Sequence, residues 1–239
     1  AGGAYPSPVP HVHLVTTTTH KTLRGPRGAL IMVTNKGLKK DPDLAKKVDQ
    51  AVFPRLQGGP HMNAIAGIAV ALKEAQTASF KRYAAKVIKN SQAMAEQLIK
   101  EGFELVAGGS NTHLILIDLK NKGLLGNTVA EAFEAANIVL NRNSVPHDPN
   151  PPFYPSGIRM GTPGITTRGM GVREMKIIAK CMGEIVEDLV QIKEKEDIQL
   201  DQEKKASVRQ KIIAQSKEIK KTKKIIKNLC RQYSLPKEF

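Results

Sequence analysis

The sequence predicts an α/β fold built from two successive parts, residues 1–70 and 71–239. Short β-branched or apolar runs alternate with longer helical patterns, which is typical of mixed α/β proteins. Gly, Pro and helix-capping residue types separate these segments. A long Ala-rich helical pattern that begins near Pro60 joins the two parts, and small residues of this kind predict close packing against another element.

The first part opens with two predicted strands. Residues 11–18 are rich in β-branched residues, and the more apolar residues 29–33 are typical of a buried strand. Asp41 and Pro42 have the residue types of a helix cap and first turn, so we expect a helix that continues to about Val52.

A second, longer helix is expected from Pro60 to about Glu101, with Gly102 ending it. Beyond it, residues 114–118 and 138–140 are predicted to be strands. Thr128 and Glu131 have the three-residue spacing of a capping box, which predicts a short helix ending at Ala136.

The last third of the chain is predicted to be a long loop followed by two helices. Residues 141–164 are dense in Pro, Gly and Asn, and a loop of this length is usually functional or disordered. Residues 171–195 place apolar side chains on one side of an amphipathic helix, and residues 201–232 repeat the pattern.

Composition excludes some classes of protein. Among 239 residues no run of eighteen apolar residues occurs, so no membrane-spanning helix is expected. Cys181 and Cys230 match no metal or redox spacing, which favours a cytoplasmic protein. Residues 193–227 hold twelve Lys or Arg, six Asp or Glu and no aromatic residue, so they contribute +6 of the net charge of +15. The missing aromatics and an Ile/Val stripe favour a solvated helix packed on the domain over nucleic-acid binding.

The most informative segment is the run TTTTHKTLRGPRG at residues 16–28. A lysine after a strand and beside a Gly-containing loop can be held rigidly in a cleft, where burial and the positive charge of His20, Arg24 and Arg27 favour the neutral amine. A neutral amine attacks an aldehyde to form a Schiff base, and threonine hydroxyls can bind a cofactor. Residue types alone also fit an ordinary solvated lysine.

This run resembles the lysine motif of the serine hydroxymethyltransferases, and four further segments are similar to that family in the same order. These segments are YPSPVPH at 5–11, AVFPRLQGGP at 51–60, NRNSVP at 141–146 and SGIRMGTP at 156–163. The resemblance covers residues 1 to about 190 and corresponds to the C-terminal half of the family. It implies the end of the large domain of an aspartate-aminotransferase-like (fold type I) enzyme, followed by a smaller C-terminal α/β domain that ends in a basic helical tail.

The resemblance implies that Lys21 binds pyridoxal 5'-phosphate as an aldimine. It assigns catalytic roles to Lys21, Thr18 and His20 and adds Thr19 and Arg27 to the cofactor site. No metal ligand is expected.

Two further segments carry implied binding roles. Gly58 and Gly59 are expected to contact the phosphate of the neighbouring subunit's cofactor through backbone N–H groups at a helix start. Arg159 is expected to hold the substrate carboxylate through its planar guanidinium. Asn143, with Pro151, Pro152 and Phe153, corresponds to the folate-binding region.

The implied reaction is the reversible conversion of serine and tetrahydrofolate to glycine and methylenetetrahydrofolate, in one-carbon metabolism and amino-acid biosynthesis. The family's catalytic glutamate and the carboxylate that faces the pyridine nitrogen have no counterpart here, so we expect these 239 residues alone to be inactive. A homodimer or homotetramer is expected of the intact enzyme, with no membrane or nucleic-acid partner. Two alternatives stay open: another fold type I enzyme, such as a threonine aldolase or an aminotransferase, and a basic nucleic-acid-binding module.

Overall fold

A computed structural model describes residues 2–235 and divides the chain into two compact units between Ala85 and Lys86. Both units combine helices with antiparallel strands, so the predicted α/β class is confirmed. The first unit contains β1 (Leu14–Thr18), β2 (Ala29–Val33), α1 (Asn35–Lys40), α2 (Leu44–Gln50), an irregular turn at Ala51–Leu56, α3 (Met62–Ala75) and the start of α4 (Ala78–Lys100).

The second unit contains the remaining elements. They are the rest of α4, β3 (Glu104–Leu105), β4 (Leu114–Asp118), α5 (Gly126–Ala135), β5 (Asn141–Asn143), β6 (Gly157–Gly161), α6 (Pro163–Thr167), α7 (Val172–Lys195), α8 (Ala206–Gln215) and α9 (Lys217–Gln232). Among the described residues, no helix is both long enough and apolar enough to cross a bilayer.

In the first unit, β1 and β2 pair as an antiparallel ladder from Leu14↔Val33 to Thr18↔Ala29, and residues 19–28 connect them. The helix expected at Asp41 begins later, at Leu44. Asp41 instead ends α1, and its carboxylate accepts a hydrogen bond from Asp43 N at 3.1 Å. An Asp-Pro pair between two helices has the same residue types as the start of a single helix, so the sequence alone does not distinguish the two cases.

The helix expected from Pro60 to Glu101 is two helices. It is interrupted at Thr77, whose hydroxyl donates to the Glu74 carbonyl at 2.7 Å and accepts from Phe80 N at 3.2 Å. A threonine in this position ends one helix and caps the next. Gly102 follows α4 with a φ of +78°, so it ends that helix as predicted.

The second unit is organised around a four-stranded antiparallel sheet with the strand order β3-β4-β6-β5. Ile115, Ile117 and Ile158 lie on one face and are fully buried in the core. The strand predicted at residues 138–140 is wrong, since pairing starts at Asn141. Ile138 N donates to the Phe133 carbonyl at 2.8 Å, so this segment closes the end of α5 instead.

The predicted capping box at Thr128 and Glu131 is also wrong. The helix α5 begins at Gly126, two residues earlier. The Thr128 hydroxyl donates to the carboxylate of Glu203, and Glu131 accepts from Arg209 Nε at 2.9 Å. Both side chains are therefore used in tertiary contacts with the C-terminal segment, which a local sequence pattern does not reveal.

The basic C-terminal segment packs on the second unit, as predicted, but as two helices. Ile212, Ile219 and Ile226 enter the common core. The break falls at Ser216, whose hydroxyl donates to Asp188 and accepts from Ile219 N at 3.3 Å, so this serine caps α9.

Candidate functional site

The segment that carries Lys21 is a tight turn that directly follows β1. Arg24 N donates to the Lys21 carbonyl at 2.9 Å, which makes Lys21 the first residue of a four-residue turn. The side chains of Lys21, His20 and Arg27 are exposed, and Thr18 is half-buried. The primary amine is thus presented on the surface of this unit by a hydrogen-bonded loop.

Thr19 braces this loop from inside. It is 1% exposed. Its N–H donates to the Gly28 carbonyl at 3.1 Å, its hydroxyl donates to the Pro26 carbonyl at 2.7 Å, and its own carbonyl accepts from Gly25 N at 2.8 Å. The predicted contact of Thr19 with a cofactor stays a prediction, while its observed bonds hold both ends of the loop together.

The same loop rests on α3. A Cβ at Gly67 would lie 2.6 Å from Pro26 Cγ, and one at Gly25 would lie 3.1 Å from Ala71 Cβ. Two glycines therefore permit an approach that larger residues would prevent. The loop that presents Lys21 is held against a helix of its own unit.

Gly58 and Gly59 lie in the exposed segment between the irregular turn at Ala51–Leu56 and α3. Apart from the adjacent residues of the chain, no heavy atom of the described residues lies within 4 Å of a Cβ built on either glycine. The first residue before α3, His61, makes no side-chain hydrogen bond to the helix end. Open glycines before an uncapped helix N-terminus are the features that suit an anionic oxygen ligand.

Arg159 lies on β6, an inner strand of the four-stranded sheet, so the prediction that it belongs to a loop is wrong. It pairs with Leu116 on β4 and Asn141 on β5. Its side chain is exposed, on the face opposite buried Ile158. The position in the sheet gives the guanidinium a fixed base, because hydrogen-bonded strands flank it on both sides.

Asn143 is on the neighbouring strand β5 and shares the sheet face of Arg159, since it pairs with Gly157. Its amide donates to the Ser144 carbonyl at 2.7 Å. The structure therefore brings Arg159 and Asn143 to one face of one sheet. The sequence alone did not predict this arrangement, because the two residues lie on different strands.

Pro151, Pro152 and Phe153 are exposed on the loop between β5 and β6, with Phe153 77% exposed. The Phe153 carbonyl accepts from Asn127 Nδ2 at 3.2 Å. An exposed aromatic ring beside two prolines offers a rigid apolar surface to a flat ligand.

Asp148 organises this loop, although the sequence motifs did not identify it as a functional residue. One carboxylate oxygen accepts from Asn150 N at 3.0 Å and Ser156 Oγ at 2.6 Å, and the other accepts from Val145 N at 3.2 Å and Ser156 N at 2.9 Å. Burial alone would raise the pKa of Asp148, but these hydrogen bonds outweigh it and lower that pKa. The available signal was an Asp two residues before an Asn in a Pro-rich stretch, a pattern typical of Asx-turns.

Within residues 2–235, no cluster of His, Cys, Asp and Glu has the arrangement of a metal site. The two cysteines are free thiols.

Comparisons with known proteins agree with the motif resemblance. The family described as serine hydroxymethyltransferase matches residues 1–182. A serine hydroxymethyltransferase of Acidothermus cellulolyticus is 48% identical over 221 residues, which are 92% of this chain and 48% of that protein. One of Desulfotalea psychrophila is 54% identical over 186 residues, 78% of this chain and 42% of that protein. The chain thus spans about half the length of the curated relatives that it matches.

Proposed function

This chain belongs to the serine hydroxymethyltransferase family, and on that premise we propose that it supplies the cofactor lysine and the substrate-binding arginine of a pyridoxal-phosphate-dependent serine hydroxymethyltransferase. The reaction would convert serine and tetrahydrofolate reversibly to glycine and methylenetetrahydrofolate. The observation that carries this proposal is the exposed Lys21 amine, at the head of a hydrogen-bonded turn inside the matched range.

The residues of the first unit fit pyridoxal 5'-phosphate. Lys21 supplies the primary amine that such a cofactor requires, and Thr18, His20 and Arg27 are accessible beside it. Gly58 and Gly59 offer unobstructed backbone N–H groups before α3, which we assign to the phosphate of the cofactor in a neighbouring subunit. When bound, the cofactor supplies an electron sink for the bonds that break at the substrate's α-carbon.

Lys21 would hold the cofactor between turnovers and give way to the substrate amine. Because the loop is cross-braced by Thr19, the lysine backbone stays fixed while its side chain moves. We assign exposed His20 and half-buried Thr18 to hydrogen bonds with the bound cofactor or substrate. These residues orient the reacting groups, and orientation is a large part of catalysis.

Arg159 would bind the substrate carboxylate through two parallel N–H···O hydrogen bonds. Its position on an inner strand supports this role, because a fixed guanidinium fixes which substrate bonds face the cofactor. Asn143 on the same face, with the exposed Pro151, Pro152 and Phe153, would bind the pterin part of tetrahydrofolate.

Several coarser features complete the proposal. Residues 1–70 would be the end of the large domain and residues 71–239 the small domain. We propose a homodimer or homotetramer in the cytoplasm, and no catalysis by these 239 residues alone. Turnover of serine by this segment in isolation would contradict the last point.

The first test is covalent labelling of the full chain. Pyridoxal phosphate is added, borohydride reduces the carbon–nitrogen double bond to a stable amine, and peptide mapping locates the label. We expect the label on Lys21 and its loss in Lys21→Arg. The matched control is Lys39→Arg, a change at an exposed lysine of the same unit, which should leave the labelling unchanged. Label spread evenly over many lysines would overturn the assignment.

The second test concerns Arg159. It uses this chain joined to the N-terminal half of a family member, because we propose no catalysis by these 239 residues alone. Arg159→Lys keeps the charge but loses the two-pronged geometry, so we expect the KM for serine to rise roughly a hundredfold, since about 3 kcal/mol of charge-assisted hydrogen bonding is at stake. The control is Arg142→Lys on the neighbouring strand, on the other sheet face. An unchanged KM in Arg159→Lys would contradict the carboxylate role.

A substrate comparison with the same joined chain separates the related alternatives. Serine with tetrahydrofolate should be the preferred pair, whereas a threonine aldolase would prefer threonine and an aminotransferase would transfer the amino group of alanine.

A further inference from the structure

The turn that begins with Lys21 ends at Arg24, and this residue has an unusual backbone. Its φ is +58°, in the left-handed region that residues with a Cβ rarely adopt. Such a conformation persists only where the surroundings hold it in place. In this conformation Arg24 N donates to the Lys21 carbonyl at 2.9 Å.

Two aromatic rings at the start of α4 hold Arg24. Its guanidinium lies 4.7 Å from the ring centroid of Tyr83 and 5.9 Å from that of Phe80. The rings are tilted by 54° with centroids 5.7 Å apart, so they form one angled platform. Phe80 is only 5% exposed, which fixes this platform in the core of the unit. A planar guanidinium stacks on such rings, whereas an ammonium group does so less effectively.

We propose that Arg24 is a positioning residue for Lys21. The guanidinium over the rings keeps residue 24 left-handed, and this conformation turns the next peptide so that Gly25 N donates to the Thr19 carbonyl at 2.8 Å. That hydrogen bond closes the loop around the Lys21 turn and so fixes the direction in which the lysine side chain leaves it. The inference rests on the proposed function in so far as Lys21 holds the cofactor.

The physical reason lies in the flexibility of lysine. Its side chain has four rotatable bonds, so only its backbone can be fixed by the protein before the cofactor arrives. Thr19 braces the two ends of the loop, but among residues 2–235 the carbonyl of Lys21 is bonded within the turn by Arg24 alone. Without the guanidinium over the rings, residue 24 would relax toward common φ values, Gly25 N would leave the Thr19 carbonyl, and the Lys21 turn would lose this support.

The test compares two variants of the full chain. Arg24→Ala removes the guanidinium and keeps the Cβ, so residue 24 retains the steric cost of a φ of +58° but loses its anchor on the rings. Arg24→Lys keeps the positive charge and the Cβ but loses the planar group. The matched control is Arg82→Lys, at an exposed arginine of α4.

Two measurements are made on each variant. The pyridoxal phosphate concentration that half-saturates borohydride labelling of Lys21 should rise about fivefold to tenfold in both Arg24 variants and stay unchanged in Arg82→Lys. Hydrogen exchange of the Gly25 amide should accelerate by a similar factor, and a role in overall folding alone would not change this amide selectively. The thermal midpoint serves as the folding control.

The outcomes separate the two proposals. Labelling of Lys21 and amide exchange that match the unsubstituted chain in both variants would overturn the role of Arg24. Absence of label from Lys21 in the unsubstituted chain would overturn the proposed function itself, whatever the variants show.

Discussion

Asp148→Asn is expected to loosen the loop that presents the proposed folate-binding residues. The carboxylate of Asp148 accepts hydrogen bonds from three backbone N–H groups and one hydroxyl. An asparagine replaces one of the two oxygens with an NH2 group. If that group faces Asn150 N and Ser156 Oγ, the hydroxyl can rotate and accept, so one backbone N–H loses its acceptor. In the opposite orientation, Val145 N and Ser156 N both lose their acceptor.

The magnitude follows from these counts. An unsatisfied buried N–H costs about 1–3 kcal/mol, and the remaining bonds weaken because the charge is lost, so we expect about 2–3 kcal/mol less stability. Urea unfolding followed by circular dichroism measures this difference. The control is Glu96→Gln, which removes one charge from an exposed position of the same unit. Among the described residues, the side chain of Glu96 makes no hydrogen bond or ion pair.

The pH dependence gives a second check. The folded-state pKa of Asp148 lies below the ordinary value of 3.8. A lowered pKa contributes stability that is complete above the ordinary value and is lost as the pH falls through the folded value. The stability gap between the parent chain and Asp148→Asn should therefore be constant near neutral pH and narrow below pH 3.8. A gap under about 0.5 kcal/mol at neutral pH, or one that widens in acid, would refute the reasoning.

Three further outcomes are expected. Glu203→Gln should cost about 3–5 kcal/mol in urea unfolding, because fully buried Glu203 neutralises Lys193, and a loss below about 1 kcal/mol would contradict that buried pair. Gly126→Ala should lower the thermal midpoint by several degrees, because its Cβ would lie 2.3 Å from the Gly157 carbonyl oxygen, and an unchanged midpoint would show that this contact can relax. Burial raises the pKa of the Cys181 thiol, so a thiol reagent at mildly alkaline pH should modify the other cysteine first, and the reverse order in peptide mapping would contradict this burial.

The elements that the sequence predicts well are those with strong local signals. The helix α7 has a long apolar stripe, and its observed bounds agree with the predicted ones to within one residue. The bounds of β2 follow from a short apolar run, but the prediction that this strand is buried is wrong, since Ile31 is 47% and Met32 41% exposed. The end of α4 follows from Gly102, which has a positive φ. The lysine motif at residues 16–28 can likewise be identified from the sequence, because its residues are contiguous.

The elements that were predicted wrongly depend on contacts between distant residues. Arg159 follows a Pro-rich stretch, yet its strand forms because β4 and β5 pair on both sides of it. The start of α5 is set by Glu203, which accepts from Leu125 N at 3.1 Å across 78 positions. Local patterns cannot identify a partner at that separation, so Thr128 was mistaken for a cap. The role of Asp148 was missed for a related reason, because its hydrogen bonds form only when the whole loop is folded.

These contacts also explain how the proposed site can be arranged without its ligands. The Lys21 turn is held by Thr19 and Gly67 within the first unit. The Arg159 strand and the Asp148 loop are held by bonds within the second unit. Because the backbone at Lys21 and the strand that carries Arg159 are each held within their own unit, ligand binding need not order them. The conformational entropy of these backbone segments is already lost when the chain folds. If the proposed function holds, Arg24 and Asp148 would affect the reaction only through the positions of the groups that they hold.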